Sequence, residues 1–135
     1  MTTTRLISTI FAATVILMTG CGGSLIFQGR VIPGRAGVAT VVANDDERLT
    51  EEGIPGVEVA FLRDSGSRGS GLIAKATTDE FGDFEIVLGR GQHPAKAVMV
   101  RVTGESIFDA RTRSFLPSVG QKLLCPVIPR REQSD

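Results

Sequence analysis

Apolar and polar side chains alternate along this chain in short bursts. Val57, Val59 and Phe61 fall on one side of a two-residue period with Glu58 opposite, and Phe84, Ile86 and Leu88 face away from Glu85 in the same way. A period of two is the signature of a half-buried strand, because successive side chains leave a pleated backbone on opposite faces. Eight apolar runs of this length occur, over residues 25–32, 38–43, 57–62, 72–78, 84–88, 97–103, 107–115 and 123–128. Turn residues separate them: Pro55-Gly56, the Gly/Ser stretch 65–71, the segment 89–94, and Pro117 through Gly120. Residues 45–52 are acidic and short, and read as a loop or a single helical turn. The pattern therefore predicts an all-β domain, with two sheets packed face to face around one core.

The first twenty residues obey a different rule. They contain no acid and one base, Arg5, followed by an apolar run from Leu6 to Met18 broken only by Ser8, Thr9 and Thr14. Thirteen helical residues span about 20 Å, short of the roughly 30 Å hydrocarbon core, so the profile is that of a cleaved signal peptide and not of a membrane span. The run ends in Leu17-Met18-Thr19-Gly20-Cys21. This resembles the bacterial lipobox, with Met18 where Leu is usual; the resemblance implies cleavage before Cys21 and acylation of that cysteine, whose thiolate is the nucleophile. An ordinary secretory signal followed by a chance cysteine is the alternative. Two or three acyl chains hold a protein on a bilayer without a spanning segment. Residue 22 is Gly and not the Asp that resembles an inner-membrane retention signal, so an outer membrane is expected in a diderm cell. The expected organisation is a signal peptide over 1–20, a lipidated tether over 21–24, a β-sandwich over 25–129 and a polar tail over 130–135.

Composition narrows the chemistry. One domain fits 135 residues, and 15 basic side chains balance 15 acidic ones. A neutral chain without Trp or Tyr lacks the basic surplus and stacking rings of a nucleic-acid binder, so no nucleic-acid partner is expected. One His and two Cys fall short of a zinc ligand set, and no metal or other cofactor is expected. The balance hides an asymmetry: residues 45–58 hold six acids and one base, and residues 90–131 hold eight bases and two acids. Either both are ordinary solvated faces, or the basic segment docks an envelope partner or anionic headgroups. Arg101, Arg111 and Arg113 lie on neighbouring predicted strands, Arg111 and Arg113 on one face of theirs, and are the candidate partner-binding residues.

The most specific internal signal is a pair of turns. In Gly53-Ile54-Pro55-Gly56-Val57, Pro55 presets φ and Gly56 accepts a positive φ before the chain enters a strand. In Thr78-Asp79-Glu80-Phe81-Gly82-Asp83-Phe84, Asp79 can accept amide hydrogens of its own turn, Gly82 suits the left-handed position, and Phe84 enters the core. With Gly29-Arg30-Val31, these elements resemble the carboxypeptidase regulatory-like family, whose fold is a transthyretin-like, Ig-like antiparallel sandwich of about seven strands. The Pro-Gly element is shorter here than in that family, and the insertion over 33–52 is longer, which leaves its strand pairing open. The resemblance implies a non-catalytic accessory module and carries over no active site. A transthyretin-fold lineage that hydrolyses 5-hydroxyisourate resembles a His- and Arg-rich constellation absent from this sequence, and a secretion-system lipoprotein shares anchor and fold but lacks the Thr-Asp turn.

The remaining chemistry is sparse. His93, in a Gly-rich connection, is the sole candidate general base, with a small hydrolase as the weaker alternative to an exposed loop histidine. Asn44 to Glu47 with Glu51 and Glu52 could offer oxygen ligands but lacks the spacing of a calcium loop, and the Ser/Gly stretch 65–71 lacks a phosphate-loop ending. Cys125 shares its strand face with Leu123 and Val127 and reads as a small buried hydrophobe, while Pro126 and Pro129 beside it point to an edge strand. The expected function is a membrane-anchored interaction or structural module, with an envelope or secretion-complex subunit as the alternative.

Overall fold

A computed structural model describes residues 24–35, 37–63, 71–89, 91 and 97–130. Eight strands follow the eight apolar runs: β1 (Leu25–Pro33), β2 (Thr40–Ala43), β3 (Glu58–Arg63), β4 (Leu72–Thr77), β5 (Asp83–Leu88), β6 (Val98–Thr103), β7 (Ala110–Ser114) and β8 (Gln121–Val127), with a 3₁₀ turn at Glu47–Thr50. They form two four-stranded sheets, β2-β8-β1-β5 and β4-β3-β6-β7. The strand count is one above that of the resembled family, and one neighbouring pair, β1 with β8, is parallel. Among the described residues no helix is long and apolar enough to cross a membrane.

Alternation places the core between the sheets. Phe27 and Val31 of β1, Phe84, Ile86 and Leu88 of β5, and Leu123, Cys125 and Val127 of β8 meet Val59 and Phe61 of β3 and Val98, Val100 and Val102 of β6. Phe27 and Phe61 touch edge to face across the gap, with ring centroids 6.1 Å apart, a favoured geometry for paired aromatic rings.

The insertion over 33–52 supplies β2, which pairs antiparallel with the first half of β8, from Thr40 against Leu124 to Ala43 against Gln121. The 3₁₀ turn then lays Leu49 against Ile32, Val42 and Leu124, a small second cluster outside the sheet. Ile32 of β1 and Leu124 of β8 are consequently buried on the face turned away from the main core. This corrects the expectation of an edge position for the Cys125 strand: β8 lies between β2 and β1. The prolines are tolerated because β2 pairs no further than Leu124, so the missing N–H of Pro126 leaves no ladder bond unmade.

Candidate functional site

The connections divide the sandwich into two ends. Strands β4 and β5 join at the same end as the approach to β3 and the β6–β7 connection; β1 begins at the opposite end, where β7 runs into β8. These are called here the motif end and the tether end.

At the motif end, three sequence elements far apart in the chain converge. Asp79 Oδ1 accepts from the amides of Phe81 and Asp83, both at 2.9 Å, while the Gly82 amide donates to the Asp79 carbonyl at 3.0 Å. Gly82 has φ +84°, and Gly56 in the Pro55-Gly56 turn has φ +71°. Thr78, 5% exposed, clamps the two turns: its hydroxyl donates to the Ile54 carbonyl at 2.8 Å and accepts from the Val57 amide at 3.0 Å. The Val31 amide donates to the Gly82 carbonyl and the Ile54 amide to the Val31 carbonyl, each at 2.9 Å, so β1 is stitched to both turns. The Phe84 ring covers Gly29 on the adjacent strand, where a β-carbon would collide with it. Arg30 closes the outside, with Nη1 3.0 Å from Asp83 Oδ1 and Nε donating to the Glu51 carbonyl at 2.9 Å. Pro55, Gly56, Asp79, Gly82 and Phe84 thus stand in one corner, and the Thr78 hydroxyl and Asp79 Oδ1 are engaged in holding it.

A second arrangement lies on the outer face of the β4-β3-β6-β7 sheet. Register sets Lys75, Ala60, Arg101 and Arg111 side by side in one row across the four strands. In the next row Arg113 lies beside Met99 and Leu62. Glu58, at the start of β3, is the one acid on the strand positions of this face among the described residues, and it stands 3.8 Å from Lys75. Arg101 and Arg111 are directly opposed like charges, a pairing that destabilises a sheet unless solvent or an anion intervenes. The Arg101 Nε is buried without a hydrogen-bond partner among the described residues. Ala60, between Lys75 and Arg101, is 1% exposed, consistent with long cationic side chains lying over the sheet with their heads outward.

The other candidates divide simply. Cys21, His93 and most of the 65–71 stretch lie outside the described residues. The acidic segment is built into the 3₁₀ turn: Asp46 caps it, accepting from the Arg48 amide at 2.9 Å and from the Arg48 guanidinium at 3.0 and 2.9 Å. Those bonds hold the Asp46 carboxyl down at about 2. Cys125 is buried, and desolvation pushes its thiol up to about 12. Among the described residues no group of three His, Cys, Asp or Glu side chains stands close enough to hold a metal ion.

Sequence reasoning missed Thr78 as the clamp between the turns and Lys75 as a member of the basic row. A hydroxyl preceding Asp79 was visible as part of the motif, but its partners lie more than twenty residues away. Lys75 joins the row only through strand register, which local pattern does not define. No model of a known family, no curated protein and no solved structure matches the chain.

Proposed function

We propose that this is a lipid-anchored extracytoplasmic protein, held to its membrane by acylated Cys21, whose β-sandwich works by binding and not by catalysis. The basic outer face of the β4-β3-β6-β7 sheet is its docking surface, and the partner is an envelope protein presenting an acidic surface. One observation carries this reading: Arg101 and Arg111 stand directly opposite one another on a face whose strands, among the described residues, provide one acid, Glu58. Directly opposed like charges destabilise a sheet, and an arriving counter-charge relieves that cost. Guanidinium groups also suit bidentate carboxylate recognition. The motif turns, where the Thr78 hydroxyl and Asp79 Oδ1 bond backbone groups of the same corner, serve as scaffold. Carboxypeptidase regulatory-like modules, which the two turns and Gly29-Arg30-Val31 resemble, fit the same role.

The test is to replace Arg111 and Arg113 with Ser in the anchored protein and cross-link it in its own cells. Exposed charges contribute little to stability, so melting should stay nearly unchanged while the cross-linked acidic partner and the salt sensitivity of its capture are lost. A folded double variant that keeps every cross-link refutes the docking face.

A further inference from the structure

Beyond the basic face, and resting on the anchor proposed above, we infer that the tether end of the sandwich is itself a membrane-seated surface. Leu25, Ile26, Phe115 and Val119 enter the interfacial layer of the bilayer that holds Cys21.

Position and exposure both lead there. The strand β1 begins at Leu25, so only residues 22–24 separate the domain from Cys21, a reach of about 11 Å when fully extended. The end that carries this tether cannot lift far from the headgroups. On that end Leu25 is 42% exposed, Ile26 57%, Phe115 75% and Val119 105%. They come from two segments that face each other, the start of β1 and the β7–β8 connection, across an open cleft of about 670 Å³ whose lining includes Leu25, Ile26, Leu116 and Val119. Single exposed apolar side chains are ordinary on a protein surface. Four gathered at the edge nearest the anchor, from segments ninety residues apart in sequence, have an apolar phase within reach.

The opposite end also exposes aromatic side chains, but in a different setting. Phe108 lies beneath the Arg130 guanidinium at 5.2 Å, and Phe81, 60% exposed, sits on the Asp79 turn. A six-residue strand is roughly 20 Å long, so Phe81 stands well above a bilayer that touches Val119. Polar groups at the tether end suit the same orientation: Arg63 ends β3 there and Arg113 lies next to the last residue of β7, at headgroup height, with Asp45 an exposed acid beside the β2 terminus. Seated this way, the strands run along the membrane normal and the basic sheet face points sideways, open to a neighbouring protein.

The chain contains no Trp and no Tyr, so one introduced tryptophan is an unambiguous reporter. The full-length protein would be purified in acylated form with Phe115→Trp, Val119→Trp or Phe81→Trp, and reconstituted into phosphatidylcholine vesicles with and without bromine on the acyl chains. Vesicle flotation and intact mass report the anchor; quenching reports the face. Phe115→Trp and Val119→Trp should lose more than half of their emission in brominated vesicles and shift to the blue, because indole partitions into the interfacial layer. Phe81→Trp should be unchanged. An acylated, floating protein whose tether-end tryptophans remain unquenched overturns the seated surface and leaves the anchor standing. Equal quenching of all three overturns it as well, since the domain then lies on its side. A chain without acyl groups removes the anchor and this inference together.

Discussion

The two ends of the sandwich use similar loop chemistry for different purposes, and glycine makes the contrast plain. Gly82 at the motif end and Gly120 at the tether end share nearly the same positive φ, +84° and +82°. A β-carbon on Gly82 would stand 2.5 Å from Gly53 Cα and 2.6 Å from the Ile54 nitrogen, whereas one on Gly120 would meet nothing within 4 Å. At the motif end the chain needs both the conformation and the space, because three segments are pressed together and bonded. At the tether end it needs only the turn, where Ser118, Val119 and Gln121 are exposed while Leu116 packs against the core. An identical local rule therefore marks a structural lock at one end and an open surface at the other.

The largest expected effect breaks that contrast if it fails. Gly82→Ala combines backbone strain of about 1–2 kcal/mol with overpacking against backbone of about 1–3 kcal/mol. Gly120→Ala incurs only the strain. Urea denaturation of both variants should show Gly82→Ala costing about 2 kcal/mol more; equal costs would mean the two ends are not differently packed.

Thr78 sharpens the comparison next. Thr78→Val removes a hydroxyl that satisfies both the Ile54 carbonyl and the Val57 amide, and should cost about 2 kcal/mol in the same denaturation assay. Thr78→Ser keeps the hydroxyl and should recover most of that loss. Failure of serine to recover would assign the effect to packing of the methyl group.

Cys125 probes the interior on which both ends close. With its thiol pushed up to about 12 from 9.0, the fold favours the neutral form. The stabilisation is complete below about pH 9 and declines as pH rises toward 12. At pH 8 the native thiol should be inert to a disulfide reagent and react once the chain is unfolded in urea. Reaction in the native state at the rate of a free thiol would show that β8 opens.

The smallest effect lies near the tether end, where the Asp46 amide bonds the Ala43 carbonyl as β2 gives way to the 3₁₀ turn. The Asp46 carboxyl should titrate near 2 and not 3.8, chiefly because of its side-chain bonds to Arg48. A carboxyl lowered in the fold favours the folded turn above about pH 3.8, and that contribution disappears as pH falls through about 2. Carboxyl NMR in Arg48→Ala should find the midpoint moved back toward 3.8, with global melting hardly changed, as expected for an exposed pair.

Much of the fold is legible because half-buried strands announce themselves locally. Each of the eight apolar runs became a strand, and the alternation at Val57–Val59–Phe61 and Phe84–Ile86–Leu88 assigned the core face without knowledge of any partner. What was not legible is set by distant pairing. The prolines beside Cys125 suggested an edge, yet β2 arrives from an insertion and covers β8 only as far as Leu124. The parallel contact of β1 with β8 joins the first and last strands in the sequence, and no local pattern encodes it. The candidate site divides in the same way. The spacing of Arg111 and Arg113 placed them on one face, but their alignment with Arg101 and Lys75 emerges only from register across four strands.

The membrane-seated role of the tether end depends on what Cys21 carries, and the intact mass of the mature protein extracted from its membrane tests that most directly. The account predicts a chain that begins at Cys21, with a diacylglyceryl group on sulfur, with or without a further acyl group on nitrogen, and no such mass from Cys21→Ser. A mature chain beginning at another residue, or Cys21 recovered as a free thiol, would contradict it.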